Sequence, residues 1–178
     1  HTAKSMVSGW KSYRVLTPEL ADPNAWQQGE TPLQCEYRST RPAFALVLLG
    51  TNDVYEVSPA AYEANMRDII EISIDNGVVP IMSTVPLRTD EYSSQVQTFS
   101  DIIRRLASEY NVPLWDLYNE VYNLPNHGLS SDKVHLSAPG DDLDRTCDFT
   151  GDNLQYGMNL RNLSALKILD SLLKTYVW

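Results

Sequence analysis

The run Ala43-Phe44-Ala45-Leu46-Val47-Leu48-Leu49, closed by Gly50, limits what this chain can fold into more than any other segment. Uninterrupted apolar residues cannot make a strand with one wet face. They read as a strand covered on both sides, the kind found in parallel sheets. The residues beyond Gly50 fit a strand of that kind. Ser58 and Pro59 supply an N-cap and a first-turn proline. Tyr62, Met66, Ile69, Ile70 and Ile74 then recur at helical spacing until Asn76-Gly77, the expected stop. Val78 to Met82 reads as the next strand, with Pro80 an awkward member because proline brings no N–H to a ladder. A second helix is expected from about Glu91 to Tyr110, with Val96, Phe99, Ile102, Ile103 and Leu106 on one face. Pro113 to Tyr118 reads as a third strand, and Leu160 to Val177 as a closing helix.

Strands separated by helices of this length imply βαβ units, hence a parallel sheet with helices on both faces. Two stretches break the rhythm and are expected to be irregular. One runs from Thr17 to Pro42 and holds four prolines; the other runs from Leu136 to about Asn159 and is rich in aspartate. Loops this long in a compact domain are usually functional or mobile. The chain of 178 residues suits one domain with a substantial core.

Composition excludes some partners. A net charge of −9 argues against duplex nucleic acid, which wants clustered Lys and Arg. No apolar stretch approaches the ~20 residues needed to span a bilayer. Cys35 and Cys147 are too far apart for a metal knuckle; they read as two buried thiols, and a bridge between them stays open in a secreted protein. The aspartates of the second irregular stretch, from Asp141 to Asp152, lack the spacing of an EF-hand loop and read as a solvated acidic surface.

Two short motifs carry chemistry. Gly50-Thr51-Asn52-Asp53 leaves the carboxyl end of the buried strand, where open parallel sheets bind ligands. Asn52 can aim its amide N–H at an oxyanion there; the plainer reading is an Asx-turn in which Asn52 or Asp53 holds the loop. Asp132-Lys133-Val134-His135 places a carboxylate three residues before a histidine. His135 can act as a general base if Asp132 fixes its tautomer through the other ring nitrogen. Surface Asp-x-x-His pairs without a role are common, so this motif gains its weight from its position before the last helix.

Together these segments resemble two of the four sequence blocks of the SGNH (GDSL) hydrolase family, in the same order. Lys4-Ser5-Met6-Val7-Ser8-Gly9-Trp10-Lys11-Ser12 resembles a third, the second block of that family, with Lys4 where asparagine is common and a bulky Trp10 after the glycine. That match implies that Gly9 offers its backbone N–H as a second oxyanion donor; an ordinary Ser-Gly turn is the other reading. The resemblance implies an α/β/α three-layer sandwich with a parallel flavodoxin-like sheet. It also implies hydrolysis of a small-molecule carboxylic ester by a Ser-His-Asp mechanism, with no metal or organic cofactor. A sugar ester is one candidate, since Trp10 and Tyr55 lie beside the motifs; packing against the loops is the other reading of these aromatics.

The family block that supplies the nucleophile, Gly-Asp-Ser at the end of the first strand, has no counterpart here. Gly151-Asp152-Asn153 and Pro139-Gly140-Asp141-Asp142 imitate it, but without serine and after the histidine. The expectation is that the strand and its serine lie on a preceding N-terminal segment or a separate peptide. Without them a central slot in the sheet should stand open, exposing strand edges and apolar core. Two alternatives belong to other classes: a catalytically inactive relative or carbohydrate-binding module that kept the pocket, or one chain of a cleaved two-part hydrolase.

Overall fold

A computed structural model describes residues 7–176. Among them, β1 (Phe44–Val47), β2 (Val79–Ser83) and β3 (Leu114–Trp115) pair as a parallel sheet in that order. Phe44 lies opposite Val79, and Met82 opposite Leu114. Helices α1 (Pro32–Thr40), α2 (Pro59–Asp75) and α3 (Ser93–Glu109) cover one face, while α4 (Leu117–Tyr122) and α5 (Gly157–Tyr176) cover the other. The three layers follow from the alternation of side chains along β2. Met82 joins Met66, Ile70, Phe99 and Ile103 in the larger core; its neighbour Ile81 joins Trp115, Leu117 and Val121 in the smaller one.

Pro80 is tolerated for a reason the ladder makes plain. The Val79 N–H donates to Ala43 O on the β1 side, whereas Met82 N–H and Thr84 N–H donate to Pro113 O and Trp115 O on the β3 side. Pro80 belongs to the second set, but β3 pairs only from Met82 onward. No ladder bond is lost at its nitrogen.

The same alternation defines the outer edge of the sheet. Ala43 and, two residues on, Ala45 turn their backbone groups toward β2, so Phe44, Leu46 and Leu48 turn theirs the other way. A groove of about 460 Å³ runs along that side, lined by every residue from Phe44 to Leu49 together with Val15, Leu33, Tyr37 and Ile69. A groove over a sheet face would touch alternate residues. One lined by consecutive residues follows a strand edge, so among the described residues the open slot lies beside the edge strand β1 and not between paired strands as expected.

Several expectations need correction. The stretch expected to be irregular from Thr17 to Pro42 contains α1. Thr31 Oγ1 accepts from Gln34 N–H while Gln34 Oε1 accepts from Thr31 N–H, a reciprocal cap with Pro32 in the first turn. The third strand stops at Trp115 rather than reaching Tyr118, because the Asp116 carboxylate caps the N–H of Asn119 and starts α4. The closing helix begins at Gly157, not Leu160. The acidic stretch before it is a series of short 3-10 turns, and the Asp142 and Asp148 carboxylates accept the N–H groups of Asp144 and Thr150. Both cysteines are free thiols, Cys35 buried and Cys147 exposed.

Candidate functional site

Gly50 turns the chain sharply as it leaves β1. Its φ of +129° lies where side chains are disfavoured, and a Cβ there would stand 2.4 Å from Val85 Cγ2 and 2.9 Å from the Tyr62 hydroxyl. Asp53 N–H then bonds back to Gly50 O and opens the short 3-10 turn Asp53–Tyr55. Asn52 is set at the head of that turn, with its Nδ2 3.5 Å from Trp10 O. Gly9 occupies a second turn, closed by Trp10 N–H on Val7 O, with φ +77°. Gly9 and Asn52 both line the groove beside β1, so the structure brings the two expected oxyanion donors to one cavity. Lys4, Ser5 and Met6 of the same sequence match lie outside the described residues.

These two turns are locked together by a buried carboxylate. Asp53 Oδ1 accepts Ser12 N–H at 2.8 Å and Ser12 Oγ–H at 2.5 Å, and Asn65 Nδ2 donates to the same Ser12 hydroxyl at 2.9 Å. Asp53 therefore does hold a loop, but a distant one rather than its own. Burial raises its carboxyl above the ordinary aspartate value against the opposing pull of the Ser12 hydrogen bonds. Its Oδ2 is buried with no hydrogen-bond partner among the described residues.

The Asp-x-x-His segment forms a tight turn of its own. Lys133 takes a φ of +65°, and Ser130 N–H donates to His135 O at 2.8 Å. That geometry brings His135 Nδ1 to 2.6 Å from Asp132 Oδ2. The other carboxylate oxygen accepts the Ser130 hydroxyl at 2.7 Å and the N–H groups of Val134 and His135 at 2.9 Å each. The His135 hydrogen bond, followed by the backbone donors, pushes the Asp132 carboxyl well below the usual range, so it stays ionised. An ionised carboxylate only accepts, which fixes the proton of a neutral His135 on Nδ1 and leaves the Nε2 lone pair open. The ring is 77% exposed, and among the described residues Nε2 has no hydrogen-bonded partner.

His135 does not line the groove that holds Gly9 and Asn52, and among the described residues no hydrogen bond joins the two pairs directly. They meet through the loop after β2, where Arg88 reaches the Asn52 turn and Thr89 N–H donates to Lys133 O. Sequence reasoning missed Arg88. Its one visible sign is a lone cation at the carboxyl end of a buried strand, after Val85-Pro86-Leu87. Tyr55, considered for sugar contact, gives its hydroxyl to Arg88 as an acceptor.

Known proteins resemble this chain in both sequence and fold. The profile of the GDSL-like Lipase/Acylhydrolase family matches residues 5–143. The chain is 25% identical over 127 residues to the Thioesterase 1/protease 1/lysophospholipase L1 of Escherichia coli K12, covering 71% of this chain and 61% of that protein. It thus spans under two thirds of the length of the curated relatives it matches. A GDSL-like lipase structure from Bacteroides thetaiotaomicron superposes with a TM-score of 0.67 at 16% identity, over 93% of this chain and 73% of the other. An acetylxylan esterase from Geobacillus stearothermophilus superposes with a TM-score of 0.61 at 16% identity, over 90% and 68%. At such identity these structures establish the fold: an α/β/α sandwich of the SGNH type.

Proposed function

We propose a reaction for this chain from one premise: it belongs to the GDSL-like lipase/acylhydrolase family. The reaction is hydrolysis of a carboxylic ester through an acyl-enzyme. The observation that carries the reading is the Asp132–His135 pair, an ionised carboxylate that accepts three donors on Oδ1 and holds Oδ2 2.6 Å from one imidazole nitrogen, with the other nitrogen open.

His135 Nε2 takes the proton of a serine hydroxyl as the serine oxygen attacks the ester carbonyl, and Asp132 holds the imidazolium that forms. The carbonyl oxygen becomes an oxyanion facing Asn52 Nδ2 and the Gly9 N–H. His135 then returns the proton to the departing alcohol. Water attacks the acyl-serine by the same route and releases the acid. The serine belongs on an apolar strand laid parallel to β1 along its outer edge, at the carboxyl end of that strand. The groove lined by consecutive residues Phe44 to Leu49 and the outward backbone groups of Phe44, Leu46 and Leu48 support this placement. Gly9, Trp10 and Asn52 in the groove lining support an exit for that strand beside them. An acetylated sugar is the finer substrate, supported by the likeness to an acetylxylan esterase and by Trp10 in the groove wall.

The test is turnover of a short-chain aryl ester by the protein carrying that strand. His135→Ala should abolish it with the fold intact, since the ring is exposed. Asn52→Ala should cost roughly 10²–10³ in rate, as for one oxyanion donor. Unchanged turnover in His135→Ala removes it from the mechanism.

A further inference from the structure

Arg88 is a buried cation that neither core packing nor the proposed chemistry explains. Its side chain is 1% exposed, and it lies beyond β2, between the two loops that carry Asn52 and His135. Burying a guanidinium costs more than burying an apolar side chain of similar size, unless its donors are all put to use. Here they are. Nε donates to Asp90 Oδ1 at 2.7 Å and Nη2 to Asp90 Oδ2, a two-pronged pair. Nη2 also donates to the Tyr55 hydroxyl at 2.7 Å, and Nη1 to Thr51 O at 3.1 Å. The guanidinium carbon sits 4.8 Å from the Tyr55 ring and 5.4 Å from the Tyr92 ring, which meet edge to face.

The Thr51 carbonyl belongs to the same planar peptide group as the Asn52 N–H. Holding it fixes the plane from which the Asn52 side chain starts. One residue further on, Thr89 N–H donates to Lys133 O at 3.1 Å, and Lys133 is the positive-φ residue that folds Asp132 onto His135. Two adjacent residues thus grip the oxyanion turn and the base turn. Asp90 fixes the guanidinium from the surface side, and its Oδ1 also accepts Tyr92 N–H, so the grip does not depend on rotamer freedom in Arg88.

We infer that Arg88 is a positioning residue: with Thr89 it forms a strap that sets the placement of the Asn52 turn relative to the Asp132–His135 turn. The catalytic consequence rests on the ester-hydrolase reading above, but the strap itself does not. It is a mechanical link between loops 51–55 and 130–135, visible without any substrate.

The experiment measures amide hydrogen exchange and ester turnover in parallel on Arg88→Met and on Arg104→Met. Arg104 is the control because it also binds aspartates, Asp101 and Asp116, and touches neither loop. In Arg88→Met, exchange should quicken about tenfold or more in both loops together, at Asp53 and Val54 and at Ser130 and His135. Arg104→Met should leave both loops at parent rates. Turnover in Arg88→Met should fall about 10–100-fold in kcat with KM held within about twofold, since a small misplacement of reacting groups costs on that scale. Should Arg88→Met fail to fold, Asp90→Asn loosens the same guanidinium from the surface and should show the same paired quickening. Exchange that quickens in one loop only, or evenly across the molecule, would overturn the strap whatever kcat does. Paired quickening with unchanged kcat would instead refute the assignment of these loops to ester chemistry.

Discussion

Gly50→Ala is the substitution whose cost the structure defines most closely. Two effects act at this position. The first is conformational: a residue with a side chain at φ +129° occupies a sparsely populated region, at a cost of about 1–3 kcal/mol. The second is steric. The new Cβ would lie 2.4 Å from Val85 Cγ2 and 2.9 Å from the Tyr62 hydroxyl, both on fully buried side chains. Neither can swing away cheaply. Tyr62 stacks on Phe99 with ring centroids 4.1 Å apart and donates its hydroxyl to Leu49 O. Overpacking of this sort adds about 1–3 kcal/mol. The sum is about 2–6 kcal/mol, which for a domain of this size lowers Tm by roughly 4–24 °C. Gly77→Ala supplies the comparison, because Gly77 also has positive φ, +71°, yet a Cβ there meets nothing within 4 Å. It should cost about 1–2 kcal/mol, the conformational part alone. Urea unfolding of the two variants beside the parent measures both. Equal destabilisation by Gly50→Ala and Gly77→Ala would refute the steric argument and leave only the backbone strain at φ +129°.

Other consequences are as direct. Asp53→Ala should destabilise by about 1–3 kcal/mol, because it strands the Ser12 N–H and hydroxyl in the core, whereas Asp53→Asn keeps one accepting oxygen and should cost clearly less; urea midpoints decide. The two aspartates should titrate on opposite sides of 3.8 when followed by side-chain carbon shifts, Asp132 below and Asp53 above. The signs for stability are then opposite. The support from Asp132 is present above its unfolded value and is lost as pH falls toward its lowered folded value. Asp53 binds its proton more tightly when folded, so its burial opposes folding increasingly as pH rises from 3.8 through its raised value. Asp53→Asn should flatten that second dependence, and an unchanged pH profile would argue against a desolvated charge at this site.

How much can be read from the chain alone depends on the range of each interaction. β1, α2 and α3 are legible because an unbroken apolar run, or an apolar face repeated at helical spacing, extends through a whole segment, although β1 is less covered than its sequence implies, with Leu46 exposed. The Asp132–His135 pair is legible because its partners sit three residues apart and one turn joins them. α1 is not, although Thr31-Pro32 and Gln34 spell a helix start: nine residues give too few repeats for a periodic face, and the prolines around it argue for a loop. The third strand reads as longer than it is because Asp116 lies in an apolar run, and its capping role depends on Thr84 and Arg104 from other elements. The Ser12–Asp53 lock spans 41 positions and the Arg88–Thr51 bond 37, so no local pattern announces either. The second is a contact that the parallel crossover from β1 to β2 creates.

The central claim is that His135 and Asp132 activate a serine carried on a strand along the outer edge of β1. Reaction of the native protein with a fluorophosphonate, followed by peptide mapping of the adduct, tests it most directly. The account predicts one labelled serine, on a peptide outside residues 1–178, with labelling lost in His135→Ala. A label on a serine within those residues, or labelling at parental rate in His135→Ala, would contradict it.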